Sequence, residues 1–384
     1  MAKGRILVLF GNIPLYGQER ENIEAIAALV EKGWDALFVT HPEWGHQQVQ
    51  PELDARGLRW TTATFADRFD RGIGARGWLR RLGQIARGSW QLRRILRAYR
   101  PTHIHLGNPQ WFIAFFPVLL LIRTPIVYRI GDTPAQHRWI FRTLWRNVLG
   151  RRVTRFVCIS KFITARLMAA ADAQDKTTVI ISRPAARGFI RRTTLPVPAP
   201  FQFTFVYTGQ VTKEKGVDLI VEVALRLCAE RDDVRFLLAG DTSWNNPFAE
   251  RLIRHVRANR EDDRILFLGY VDDIDALLAV ADVHLCPSVW QEPLGVVVLE
   301  AKQAARPSIV FPSGGLTEMV TDGVDGVVCA DKSAAALEAA CRIYLECPQL
   351  AREHGAAAKV SLEGLGVNEF AERWEEVYAR AARS

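Results

Sequence analysis

The sequence predicts an α/β protein made of two successive domains, each a parallel sheet wound with helices on both sides. Three observations carry this reading. Short runs rich in β-branched and apolar residues alternate with stretches of helical periodicity along the chain, the pattern of parallel strands covered on both faces. At 384 residues the chain is long for one fold unit. Midway, the text TTLPVPAP from Thr193 to Pro200 sets three prolines within eight residues, where a chain can continue neither a helix nor a central strand. The expected division is residues 1–192 for the first domain, 193–202 for a linker, 203–365 for the second domain and 366–384 for a C-terminal helix.

In the first series the strands fall at Arg5–Phe10, Ala36–Thr40, Leu58–Thr62, Thr102–Leu106, Ile126–Ile130, Phe156–Ser160 and Thr177–Ile181. Between the first two, Ile23, Ile26, Ala27 and Val30 keep helical spacing up to Gly33, a residue suited to ending a helix. The second series places strands at Phe203–Gly209, Val234–Gly240, Ile265–Gly269, Val283–Pro287, Ser308–Phe311 and Gly326–Cys329. The closing helix carries Phe370, Trp374 and Val377 on one face, and the sequence leaves its packing partner open.

Apolar residues at 49% and charged residues at 24% exclude a disordered, collagen-like or fibrous chain. The opening MAKGRILVLFGN is not followed by a small-residue cleavage site and fits a first strand. The longest apolar stretch, Trp111 to Ile122, is interrupted by Pro117 and falls short of the ~20 residues that span a bilayer. The six cysteines, Cys158, Cys228, Cys286, Cys329, Cys341 and Cys347, form no CxxC pair, which predicts reduced thiols and a cytoplasmic location. Charge is uneven: residues 1–195 hold 31 Lys/Arg against 13 Asp/Glu, and residues 196–384 hold 19 against 29. The first half is therefore expected to meet an anionic partner.

Ligands of open α/β sheets bind beyond the carboxyl ends of strands. After the strand ending at Pro287 comes Ser288-Val-Trp-Gln-Glu292-Pro293-Leu-Gly295-Val296-Val297-Val-Leu-Glu300. Pro293 suits a first helical turn, and the amides near Gly295, Val296 and Val297 are placed to hold a phosphate at a helix N-terminus. Glu300 lies one turn beyond Val296 on the same face, in reach of sugar hydroxyls, and Glu292 precedes the helix.

The stretch PSVWQEPLGVVVLEAKQAARPSIVFPSGGLTEMVTDGVDGVV resembles the nucleotide-sugar site of the retaining GT-B glycosyltransferases of family 4. VYTGQVTKEKGVDLIVEVA is similar to that family's opening of the second domain, FVCISKFITARL to its late first-domain strand and helix, and RPTHIHLGN and TPIVYRIGD to two earlier strand-end loops. The resemblance implies a GT-B fold, two Rossmann-like domains facing across a cleft. It makes Glu292 and Glu300 the ends of the family's E-x7-E motif. Glu300 would bind the nucleotide ribose, Glu292 the transferred sugar, and Gly295, Val296 and Val297 the diphosphate. Lys215 would neutralise the leaving diphosphate, with Gly209 and Gln210 at the preceding strand end also on the donor. This chain has Gln210 where the family usually has Arg, and Gly131 where a His usually precedes Asp132, so Asp132 or a neighbouring carbonyl is left to meet the sugar. The loop GNIPLYGQE, with Gly11, Asn12 and Gly17, lacks the GxGxxG and GxxxxGK spacings and matches the family's loop over the donor.

Of His103 and His105, His105 is the better candidate to face the cleft, with a satisfied core histidine an equal alternative. Residues 68–100 hold Arg68, Arg71, Arg76, Arg80, Arg81, Arg87, Arg93, Arg94, Arg97 and Arg100 against Asp70, interleaved with Trp78, Leu79, Leu82, Ile85, Trp90, Leu92 and Ile95. That composition suits an anionic lipid surface or a lipid-linked phosphate; no nucleic-acid module accompanies it.

Together these readings predict a retaining glycosyltransferase of cell-surface polysaccharide biosynthesis. It would move a sugar from a UDP- or GDP-sugar to a glycan or lipid-linked acceptor, by front-face displacement and without cofactor or metal, as a peripheral protein at the inner face of the plasma membrane. No DxD follows a strand; Asp262-Asp263 and Asp272-Asp273 read as turn and cap residues. The alternative is a catalytically silent homologue that binds a partner, supported by Gly131 and Gln210. An epimerase of the same fold would need an acid and a base at the sugar that the sequence does not offer.

Overall fold

The computed structural model describes residues 2–10, 17–42, 49–65, 75–134, 139–181, 201–242 and 246–383. The chain divides into unit 1, Met1–Ser182 with Leu365–Ser384, and unit 2, Arg183–Gly364. The expected linker at 193–202 lies almost wholly outside the described residues.

Unit 1 holds strands β1 (Arg5–Leu9), β2 (Asp35–Thr40), β3 (Arg59–Thr62), β4 (His103–Leu106), β5 (Ile126–Ile130), β6 (Arg155–Cys158) and β7 (Thr177–Val179). They form one parallel sheet in the order β3-β2-β1-β4-β5-β6-β7. Unit 2 repeats the plan with β8 (Phe203–Thr208), β9 (Val234–Ala239), β10 (Ile265–Gly269), β11 (Val283–Cys286), β12 (Ser308–Val310) and β13 (Gly326–Val328), in the order β10-β9-β8-β11-β12-β13. Each strand begins and ends within two residues of the bounds read from the sequence. The winding reverses between β1 and β4 and again between β8 and β11.

Both faces of the second sheet are covered. Phe203, Phe205, Tyr207, Phe236 and Leu238 pack into one cluster, and Val206, Leu237 and Ala239 into another. Alternate residues of the same strands thus serve opposite layers, which is why these strands read as continuous apolar runs.

The helix Val367–Ala382, whose partner the sequence left open, belongs to unit 1. It buries Phe370, Trp374, Val377 and Tyr378 in the same cluster as Ile6 and Val8 of β1 and Ile23 and Ile26 of the Gly17–Glu31 helix. Polar groups fix its seat. Trp34 Nε1 donates to Glu375 at 3.0 Å, and the Tyr378 carbonyl bonds His103 Nε2 at 3.0 Å. His105 is wholly buried: its Nδ1 accepts from the Tyr378 hydroxyl at 2.7 Å, and its Nε2 donates to Asn22 Oδ1 at 2.8 Å. The expectation that His105 faces a cleft is corrected here, because the C-terminal helix covers it and makes it a satisfied core histidine.

Burial, helped by the nearby Arg129 charge, pushes the His105 pKa down from 6.5 to about 3. Between those values the unfolded chain binds a proton that the folded one refuses, so stability falls as pH drops below about 6.5. Urea unfolding at pH 7, 6 and 5 should show His105→Gln losing less stability per pH unit than wild type, by up to ~1.4 kcal/mol. Equal slopes would remove His105 as a source of acid sensitivity.

Candidate functional site

The ligand crevice of such a sheet lies outside the strand ends where the winding reverses, here after β8 and β11. β8 runs into Gly209 and the exposed Gln210, whose carbonyl accepts from the buried Tyr207 hydroxyl at 2.7 Å. A turn at Lys213–Lys215 follows and ends at Gly216. From the other side, β11 leads through Pro287 and Ser288 to Glu292. The two loops are stitched together at one carbonyl, that of Glu214, which accepts from Val289 N at 2.9 Å, Trp290 N at 3.0 Å and Ser288 Oγ at 3.1 Å. Gly216 sits at φ 70, and a Cβ there would overlap the Pro287 carbonyl oxygen. Only glycine permits this approach.

The stitch brings Lys215 and Glu292, 77 residues apart, into a direct ion pair between Nζ and Oε1. Glu292 is buried at 8% exposure, and a third loop explains why. After β12, Ser313 Oγ donates to the Ser288 carbonyl, and Gly315 N donates to the Glu292 carbonyl at 2.7 Å. Gly314, at φ 58, backs directly onto the Glu292 main chain, where a Cβ would collide with its carbonyl oxygen. These supports were not assigned from the sequence; their only signal was a Gly-Gly pair directly after a strand.

The helix Val296–Gln303 begins at Gly295, a left-handed residue, and no side chain caps it. Val298 N donates back to the Gly295 carbonyl at 2.9 Å. The amides of Val296 and Val297 belong to the first turn, whose N–H groups have no partner further up the helix. With the positive end of the helix dipole, they form a place for an anion. Glu300, half-exposed, stands on the same helix one turn on. Unit 2 therefore gathers Gly209, Gln210, Lys215, Glu292, Gly295, Val296, Val297 and Glu300 at its switch-point loops and the helix that follows.

Neighbouring groups are inert. Burial first, then the Glu292 charge, pushes the Cys286 thiol up to about 12, so it is no nucleophile at neutral pH. His284, buried and bonded to Thr208 and Ser308 at 3.1 Å each, is pushed down to about 3. Asp273 caps the helix Ile274–Ala279 by accepting from Ala276 N at 2.8 Å.

In unit 1, Asp132 follows β5 and Gly131, is exposed, and accepts from Thr133 N at 2.6 Å. Gly17 opens the Gly17–Glu31 helix, whereas Gly11 and Asn12 lie outside the described residues.

Two family profiles match this chain side by side: Glycosyltransferase Family 4 over residues 16–183 and Glycosyl transferases group 1 over residues 198–361. The chain is 29% identical over 284 residues to a glycogen synthase of Mycobacterium tuberculosis, a match spanning 69% of this chain and 65% of that protein. It is 30% identical over 166 residues to a GDP-mannose-dependent phosphatidylinositol dimannoside mannosyltransferase of the same species, 42% of this chain and 41% of that one. The fold matches Anabaena HepE, solved with UDP and glucose, at a TM-score of 0.77 and 17% identity over 98% of this chain and 99% of that one.

Gly314→Ala should lower unit 2 stability by ~1–3 kcal/mol, because the methyl group enters a left-handed position already filled by the Glu292 backbone. Calorimetry should show the drop; an unchanged melting temperature would mean that the third loop does not hold Glu292 in place.

Proposed function

The chain belongs to the family 4 glycosyltransferases, and on that premise we propose that it moves a sugar from a UDP- or GDP-sugar, with retention, onto a glycan or lipid-linked acceptor of cell-surface polysaccharide. The observation that carries the proposal is the Lys215–Glu292 ion pair beside the uncapped start of the Val296–Gln303 helix. The amides of Val296 and Val297 and the Lys215 ammonium receive the diphosphate. Glu300 accepts from the ribose hydroxyls, and Glu292 contacts the sugar. The bond from the anomeric carbon to the diphosphate oxygen breaks while the acceptor oxygen bonds to that carbon on the same face. The acceptor proton passes to the departing phosphate oxygen. Asp132, from unit 1, is assigned to the sugar in place of the imidazole that Gly131 lacks.

The acceptor reading rests on the helix Ala75–Tyr99. Leu79, Leu82, Ala86 and Trp90 recur at helical spacing and are exposed, the last at 57%. Arg80, Arg87 and Arg94 form a second exposed row beside them, with the Arg94 guanidinium 4.8 Å from the Trp90 ring centroid. Arg81, counted with the surface arginines in the sequence, is corrected: it is buried on the inner face that also carries Gly88, Ser89 and Leu92. Arg68, Arg71 and the side chains of Arg76 and Trp78 lie outside what is described. An apolar ridge flanked by arginines suits headgroups and the acyl boundary beneath, hence an acceptor carried on lipid and a protein peripheral to the cytoplasmic face. The mannosyltransferase relative, named for a phosphatidylinositol dimannoside, supports that choice.

The silent-homologue reading has its own observation, Gln210 in place of a cation. Turnover assays with UDP- and GDP-sugars decide it, since a silent protein binds without releasing nucleotide. Lys215→Ala should lower turnover by about a hundredfold or more, with Gln210→Arg restoring part of it, and chelators should leave the rate unchanged. A wild-type rate in Lys215→Ala would move the leaving-group site elsewhere. Glu300→Ala should weaken nucleotide binding about tenfold; unchanged affinity would remove Glu300 from the ribose. Wild type should sediment with anionic vesicles and be partly released by salt, because charge attraction is screened over ~8 Å at physiological ionic strength and apolar insertion is not. Trp90→Ala with Arg80→Glu and Arg87→Glu should abolish sedimentation, and equal binding to neutral vesicles would argue for a soluble acceptor.

A further inference from the structure

On the side of the Val296–Gln303 helix away from Glu300 lies a buried charge pair that the proposed reaction does not use. Lys302 is 5% exposed and Asp325 3% exposed. The Lys302 ammonium donates to Asp325 Oδ2 at 2.6 Å and to Ser361 Oγ at 2.8 Å. Asp325 is itself fixed, since its Oδ1 accepts from Thr321 N at 2.8 Å in the turn that leads into β13. Ser361 follows directly on the helix Pro348–Val360 and donates to the Ala358 carbonyl at 2.7 Å. One side chain thus ties the Val296–Gln303 helix to two separate parts of unit 2.

A buried ion pair is costly to desolvate, and an apolar pair of similar size is often equally stable. Stability alone therefore explains little of why a lysine stands at this position. What the pair does supply is direction. At about 100° per residue, Lys302 leaves the helix about 200° from Glu300, on nearly the opposite side. The helix has only eight residues and no side-chain cap, too short to be stable on its own, so its rotation is set by whatever holds its back.

We propose that the Lys302–Asp325 pair sets the rotation of this helix and so positions Glu300 for the nucleotide. Lys302 and Asp325 are positioning residues, and the inference rests on the donor site proposed above. Removing both charges strands no ionised group: Asp325→Asn keeps an acceptor for Thr321 N, and Ser361 keeps its bond to Ala358.

The experiment is calorimetric titration with UDP and with GDP, alongside thermal unfolding and donor kinetics. The variants are Lys302→Met, the double variant Lys302→Met with Asp325→Asn, Glu300→Ala, and the triple combination. Lys302→Met alone should melt lowest, because it strands a buried carboxylate. The double variant should regain most of the melting temperature yet bind nucleotide about tenfold more weakly, with donor KM raised and kcat changed less than about threefold. In the Glu300→Ala background the same two substitutions should cost no more than about twofold, since the group they position is gone. Wild-type affinity in the double variant, or losses that simply multiply with that of Glu300→Ala, would overturn the positioning role. Wild-type affinity in Glu300→Ala itself, or no binding of either nucleotide to wild type, would overturn the donor-site reading and this inference with it.

Discussion

The arrangement of unit 2 depends on two loops approaching more closely than any side chain would allow. Gly216 lies against the Pro287 carbonyl and Gly314 against the Glu292 backbone, each in a left-handed conformation. These contacts let the Glu214 carbonyl collect three donors from the loop after β11 and let Gly315 bind the Glu292 carbonyl. Held from both sides, the Glu292 carboxylate has little freedom left when it meets Lys215. The ion pair is thus a consequence of backbone packing, and its geometry is set before any ligand arrives. Such prior ordering is what a site needs in order to spend little free energy on reorganisation.

The same logic orders the helix that follows. Gly295 opens it with no side chain at the cap, so its first amides are available, and the Lys302–Asp325 pair behind it lies where a rotation would be resisted. Front and back of this short helix carry opposite tasks: the front leaves polar groups exposed for a ligand, and the back satisfies every charge it buries.

Much of this was legible in the sequence, for identifiable reasons. Parallel strands buried on both faces read as unbroken apolar runs, so the strands of both sheets could be placed within two residues. Glu292, Gly295 and Glu300 lie on one loop and one helix, so their relation follows from local spacing. What could not be read are contacts that depend on a distant neighbour. The apolar face of the Val367–Ala382 helix was visible, but not that it would cover His105. Arg81 was counted with the surface arginines, yet Leu92 stands about three turns further along the same face of the helix, and the structure buries both. Lys302 reads as an ordinary helix lysine, because its partner Asp325 is 23 residues away across a strand. The Lys215–Glu292 contact came through family resemblance as two separate roles, and spacing alone would not have joined them.

That contact gives the proposed chemistry a direction. Glu292 carries a negative charge next to the cation assigned to the diphosphate, which at first sight opposes donor binding. Two like charges 4 Å apart repel by ~1 kcal/mol in water and ~4 kcal/mol near a protein surface, so the opposition is real. In the transition state the sign changes at the carbon that matters. As the bond to the diphosphate breaks, positive charge grows on the anomeric carbon, and a fixed carboxylate beside the sugar attracts it. At the same moment negative charge grows on the departing phosphate, to which Lys215 responds. A paired ammonium and carboxylate thus bind the separated charges better than the intact donor, which is the condition for raising turnover and not merely affinity. On this account Gln210, a neutral donor, leaves the growing phosphate charge to Lys215 and the charge separation to the pair that the glycines hold in place.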